Sequence, residues 1–346
     1  MFMRNENNPL ITKKDVRPSR KGLEVIGVFN AGAVQVDGET ILLVRVAEKA
    51  EQDGNGILCP VFNWEDALIH TLRFPDDGVI DYSDSRQFYV DGKLYLTSIS
   101  HLRVAKSNDG VHFEVSNRPF LAPADEYEAF GVEDARITRI EDTYYITYTA
   151  ASPYGIVVRL AETKDFITAE RRTILFPPDN KDAVLFPEQV NGRYACLHRP
   201  SASNFARPEI WFAWSNDLQS FGDHRFVAGV RPGKWDCGRI GAGAPPILTD
   251  KGWLEIYHGA DMDNNYHMGA MLLDRAEPWK VLARSGVPLL SPEAPYEKNG
   301  FFSNVVFSCG VVHSGSQIHM YYGAADESIA SAVITLDQIF DHLKQF

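Results

Sequence analysis

The chain has 346 residues, 45% of them hydrophobic, and a formal net charge of -12. That acidity excludes the basic face that nucleic acid or an anionic membrane would need, but not a local basic pocket for a small anion. No apolar run approaches the roughly 20 residues of a membrane span, and Met1 to Asn8 is polar, without the apolar stretch of a signal peptide.

In chain order, one unit recurs: a turn with Gly, Asp or Asn, an alternating strand, a second strand and a polar turn. It starts as DGETILLVRV (37–46), DGKLYLTSIS (91–100), EDTYYITYTA (141–150), NGRYACLHRP (191–200), DKGWLEIYHG (250–259) and SGSQIHMYYG (314–323). The starts fall about 50 to 60 residues apart, close to the period of propeller blades. Asp91-Gly92 and Asn191-Gly192, flanked by alternating apolar residues, are hairpin signals. A second element keeps the same phase at 102–113, 158–169, 210–221 and, more weakly, 271–282. Six starts and a closing C-terminal segment fit five blades if the first and last pieces complete one ring, with six blades as the alternative. Leu336, Ile339, Phe340 and Leu343 are spaced as one face of a short terminal helix. The expectation is an all-β protein, one propeller over residues 1–346, with its site where inter-blade loops gather around the axis.

The four cysteines, Cys59, Cys196, Cys237 and Cys309, are widely spaced and show no metal-ligand spacing. Cys196 and Cys309 lie in apolar strand-like runs, as buried free thiols do, which favours a reducing cytoplasm.

AFGVEDARIT (129–138) is the most informative segment, with Glu133 and Asp134 side by side before a strong strand. Adjacent strand residues point to opposite faces, so one carboxylate is expected to face a pocket. The plain alternative is a turn with a surface salt bridge. Lys181, Arg199, Arg239 and His258 occupy equivalent strand ends or loops of successive units. Such positions converge near a propeller axis and could hold an anion such as phosphate, although Arg199 and His258 taken singly could be core groups on backbone carbonyls. Gly241, Gly243, Pro245 and Pro246 follow Arg239 and could bring backbone N–H groups to an oxyanion. Asn30 and Arg45 flank the first hairpin and Asp326 closes the last, all suited to sugar hydroxyls.

Together NPLIT (8–12), VFNAGA (28–33), LLVRVAE (42–48), GVEDARIT (131–138), DNKDAVLFPE (179–188), LHRP (197–200), GRIGAGAPPILTDKGWLEIYHG (238–259), YEKNGFFSNVVFSCG (296–310) and YYGAAD (321–326) resemble the β-mannoside phosphorylases of glycoside hydrolase family 130 along nearly the whole chain. The resemblance implies a five-bladed propeller and phosphorolysis of a β-mannoside with inversion, giving α-mannose 1-phosphate. It maps the proton donor to Asp134, phosphate binding to Lys181, Arg199, Arg239 and His258, and mannosyl binding to Asn30, Arg45, Glu133 and Asp326. Asn180 is the neighbouring alternative to Lys181. No cofactor is implied, only inorganic phosphate as co-substrate, and a homodimer is a family-level expectation. One acid and a cationic clamp suit an anionic nucleophile, whereas inverting hydrolysis needs two carboxylates. The EVIGVFNAG opening and the EDAR form of the acid motif are most similar to the branch acting on β-1,2-mannobiose and short β-1,2-oligomannosides. The β-1,4-specific branches and a β-1,2-mannosidase of the same family are the alternatives. A non-catalytic sugar-binding propeller and a glycosidase with three carboxylates would both leave the clamp unexplained.

Overall fold

The computed structural model describes residues 1–75, 80, 86–201 and 205–345. Strands dominate it, and the α-helices among the described residues are Pro295–Lys298 and Leu336–His342. The strands form five antiparallel blades around an axis. The first is Leu23–Val36, Glu39–Ala50, Ile99–Ser107 and Glu114–Val115, and the second Gly131–Ile140, Thr143–Ser152, Gly155–Thr163 and Glu170–Phe176. A short parallel contact, Gly131 with Ser100, joins these two. The third is Asn180–Leu185, Tyr194–Pro200, Ile210–Ser215 and Gly222–Ala228. The fourth has a broken inner strand, Arg239–Ala242 and Ile247–Thr249, followed by Gly252–Ala260, Tyr266–Leu273 and Val281–Ser285. The fifth is Val306–Ser314, Gln317–Ala324 and Ser328–Thr335, and N-terminal Met3–Arg4 supplies its outer strand.

The hydrophobic core is divided into layers between blades, and these layers settle the blade number. Ile41, Leu43, Val132 and Tyr148 fill the first–second interface. Leu160, Phe176, Leu185 and Cys196 fill the second–third, and Phe186, Phe212, Trp253 and Tyr257 the third–fourth. Ile256, Met268, Ile318 and Tyr322 lie between fourth and fifth, and Val28, Val44, Tyr321 and Ile329 between fifth and first. Five interfaces close one ring, so the five-bladed expectation holds.

One of the six repeat starts does not open a blade. Residues 91–98 of that start belong to an insertion between the second and third strands of the first blade, built from hairpins Ile57–Asn63/Leu68–Phe74 and Gln87–Val90/Lys93–Leu96. The other five starts are the second strands of the five blades, and the in-phase second element is the third strand. The signal misled because a two-residue turn reports only the hairpin it closes. Asp91 and Gly92 take φ 49° and 74°, as do Asn191 and Gly192 at 52° and 75°, the left-handed pair such turns demand.

Helix Leu336–His342 is capped by Thr335 and buries Ile339 against the fourth–fifth layer. The chain then adds Leu343–Gln345 to the edge of the fourth blade. All four cysteines are free, and Cys59, Cys196 and Cys309 are buried.

A repeated irregularity positions the site. The inner strands of the first three blades slip register between Phe29 and Gly32, Glu133 and Arg136, and Lys181 and Val184. Asn30, Asp134 and Asp182 stand at these bulges with φ of 52°, 50° and 51°. Asn and Asp tolerate this left-handed backbone better than other side-chain-bearing residues, and a bulge re-aims a side chain out of the regular alternation.

Candidate active site

The bulge at Asp134 overturns the expectation that only one member of the Glu133-Asp134 pair can face a pocket. Both carboxylates meet Arg45, whose Nη2 donates to Glu133 Oε1 at 2.8 Å and Nη1 to Asp134 Oδ1 at 3.1 Å. Asn30 Nδ2 donates to the same Asp134 oxygen at 3.1 Å. Arg45 is fixed from behind by its Nε bond to Ser100 Oγ at 2.9 Å and lies 4.8 Å over the Phe29 ring. Glu133 is buried and Asp134 half-buried, so this is not a surface salt bridge.

Asp326 also takes a left-handed backbone, φ 50°, at the end of the fifth blade's second strand. Burial pushes its carboxyl up to about 6, with Arg45 and Arg86 pulling it down and Asp134 and Glu133 adding to the rise. Burial disfavours the charge on Arg45, yet Glu133, Asp134 and Asp326 outweigh that and raise its pKa. Asn30, Glu133, Asp134 and Asp326 thus form one acidic cluster around the Arg45 guanidinium.

The second cluster is cationic around a carboxylate. Arg199 Nη1 lies 2.6 Å and His258 Nε2 3.3 Å from Asp182 Oδ2, and Arg199 Nη1 and His258 Nε2 are 3.1 Å apart, within hydrogen-bond distance. Arg199 and His258 are buried, but their partner is this carboxylate and not a backbone carbonyl. Burial alone would raise the Asp182 carboxyl; Arg199, His258 and Arg136 outweigh it and hold it well below the usual carboxylate range. Burial lowers the pKa of His258, against the pull of Asp182.

Lys181 stands between the clusters, its Nζ 3.8 Å from Glu133 Oε2. Asn180 faces away into the third blade, where its side chain meets His198 Nδ1 at 3.0 Å. The geometry therefore favours Lys181 over Asn180 as the group facing the clusters. Arg239 sits two residues before Gly241 on one strand, and is held by Tyr266 Oη at 3.2 Å and Asn264 Oδ1 at 2.7 Å. The run after Arg239 does not present its amides as anticipated: Gly243 N–H is bonded to Glu255 Oε1 at 2.9 Å. Burial pushes the Glu255 carboxyl up to about 8.

Asp182, Arg136, Ser100, Asn264 and Tyr266 are site residues that sequence reasoning passed over. Arg136 joins the two halves, donating from Nη1 to Asp134 O at 3.0 Å and from Nη2 to Asp182 Oδ1 at 2.9 Å. A signal for Asp182 existed: NKDAV (180–184) repeats the x-Asp-Ala of VEDAR (132–136).

The fold and site define a five-bladed propeller with an acidic cluster beside a cationic one, the two joined through Arg136. Residues 85–345 match a family model described as beta-1,4-mannooligosaccharide phosphorylase. The chain is 48% identical to the beta-1,2-mannobiose phosphorylase of Listeria innocua, over 99% of this chain and 98% of that protein. It is 42% identical to the 1,2-beta-oligomannan phosphorylase of a Thermoanaerobacter species, over 80% of this chain and 93% of the relative. A solved structure of the Listeria innocua beta-1,2-mannobiose phosphorylase with beta-1,2-mannobiose superposes with a TM-score of 0.95 at 47% identity, covering 99% of this chain and 98% of that one. The chain belongs to glycoside hydrolase family 130.

Proposed function

We propose that this protein is an inverting β-mannoside phosphorylase acting on β-1,2-mannobiose or short β-1,2-oligomannosides. The observation that carries the reading is the pairing of a re-aimed acid, Asp134, with a cationic group in the neighbouring blades, joined through Arg136. The likeness to the Listeria and Thermoanaerobacter enzymes supports the β-1,2 preference.

In this reading Asn30, Arg45, Glu133 and Asp326 hold the mannosyl unit. Lys181, Arg199, Arg239 and His258 hold inorganic phosphate on the face of the anomeric carbon opposite the leaving sugar. Phosphate oxygen forms the new bond to that carbon as the glycosidic C–O bond breaks, and the proton that Asp134 supplies ends on the departing sugar oxygen. The products are α-mannose 1-phosphate and the shortened sugar. No second carboxylate is required as base, since phosphate arrives already anionic. The cations position it and offset its charge during approach. The three buried free thiols support a reducing, cytoplasmic setting.

The test is a paired incubation with β-1,2-mannobiose, with and without inorganic phosphate, followed by anomeric NMR. Phosphate-dependent α-mannose 1-phosphate is the expected product. Mannose release without phosphate would instead make the protein a hydrolase, and turnover only of β-1,4-mannosides would correct the linkage.

A further inference from the structure

We propose that Asp182 is a positioning residue of the phosphate clamp: an anion built into an anion site, which holds Arg199 and His258 in place before phosphate arrives. This rests on the phosphorolytic reading above. Arg199 Nη1 meets His258 Nε2 at 3.1 Å in a buried place, within hydrogen-bond distance, and arginine loses much rotamer freedom when it is fixed. Asp182 Oδ2 touches both, at 2.6 Å from Arg199 Nη1 and 3.3 Å from His258 Nε2. Its other oxygen is pinned by Arg136 Nη2 at 2.9 Å. Arg136 is itself fixed by the carbonyls of Asp134, Ala242 and Gly243, so the clamp is anchored to the strand that carries the acid.

Two further observations support this role. A Cβ on Gly241 would come within 2.4 Å of Asp182 Oδ2 and 2.5 Å of His258 Cε1, so only glycine leaves room for the pair. Arg199 Nε and His258 Nδ1 are buried without a hydrogen-bond partner among the described residues, and Asp182 Oδ2 holds the pair by charge, since it too lacks a well-directed hydrogen bond there. Asp182 thus fixes one edge of each group and leaves the other polar edge unspent, as a preformed ligand site requires.

The experiment measures KM for phosphate and for mannobiose separately in the wild type, Asp182→Asn and Gly241→Ala. Calorimetric titration of each sugar-free enzyme with inorganic phosphate accompanies the kinetics. Asp182→Asn removes the charge with little change of shape; Gly241→Ala keeps the charge and displaces it, so it carries the test even where the first variant fails to fold. The expected result for both is a phosphate KM and dissociation constant raised at least about tenfold, with the mannobiose KM changed less than about twofold. Unchanged phosphate affinity in the variants overturns the proposal, as does an equal rise in both KM values, which would mark a structural strut. A wild type that binds no phosphate and releases mannose without it fails differently, since it removes the phosphorolytic reading itself.

Discussion

Glu133, Asp134 and Asp326 surround the Arg45 guanidinium, with Lys181 3.8 Å from Glu133 and Arg86 acting on Asp326 as well. Burial, helped by the charges of Asp134 and Glu133, pushes the Asp326 carboxyl up to about 6 from its ordinary 3.8. Between those two values the folded protein keeps a proton that the unfolded chain releases. The resulting stabilisation is full below about 3.8 and is lost as pH rises through about 6. Sugar binding follows the opposite sense if ionised Asp326 accepts hydrogen bonds from mannosyl hydroxyls. The KM for mannoside is expected to rise as pH falls below about 6, and Asp326→Asn should abolish that inflection; an inflection that survives the substitution would assign it elsewhere. Asp134→Asn should remove turnover while leaving the thermal transition within a few degrees of wild type, because the amide can still accept at Oδ1 from Asn30 and Arg45. Activity near the wild-type level would show that Asp134 is not the proton donor.

Strands and bulges explain what could be read beforehand and what could not. Hairpins were legible because a turn with two left-handed residues leaves a local mark in Asp91-Gly92 and Asn191-Gly192. That same locality hid the difference between a blade and an insertion, since only long-range packing separates them. The bulges were illegible because the reading assumed strict two-residue alternation, which the slip between Glu133 and Arg136 breaks. Asp182 was missed for another reason: its partners Arg136, Arg199 and His258 come from three blades, and only folding brings them together. The insertion, too, reaches the site. Phe62 N–H bonds Ala129 O at 2.8 Å, and Tyr95 lies 6.3 Å from Phe130, just ahead of the strand that carries Asp134. Phe88 is buried in that aromatic group against Phe74 and Tyr95. Truncating it to Ala removes packing worth about 3–5 kcal/mol, more than a local hairpin unit can spare without loosening. Phe88→Ala is therefore expected to make residues 50–98 sensitive to limited proteolysis and to raise the KM for mannoside but not for phosphate. Resistance equal to wild type would mean the hairpins are held mainly by other contacts.

At the scale of the whole molecule, the two halves of the site depend on different parts of the ring. The clamp joins the second, third and fourth blades through Arg136, Asp182, Arg199 and His258. The acidic cluster joins the second blade to the first and fifth, whose shared interface lies beside the closure of the ring. That closure uses N-terminal Met3–Arg4 paired with Ser328–Thr335, and Arg4 reaches the fully buried Glu297 with Nε at 2.8 Å and Nη2 at 2.9 Å. Glu297 also accepts from Tyr322 Oη and from the amides of Glu293 and Ala294. Removing Arg4 strands a buried carboxylate, which costs about 3 kcal/mol, the lower end of the usual range because three donors remain. Arg4→Ala should therefore lower Tm by several degrees, with the weakness placed at the edge of the fifth blade. A fifth blade that loosens carries Asp326 away from Arg45 while the clamp blades stay packed through their own inter-blade layers. Well below the new Tm, the variant should show weakened mannoside binding and calorimetric phosphate affinity close to wild type. Equal loss of both would mean that the propeller responds as one cooperative body and that the seam has no local hold on the acidic half of the site.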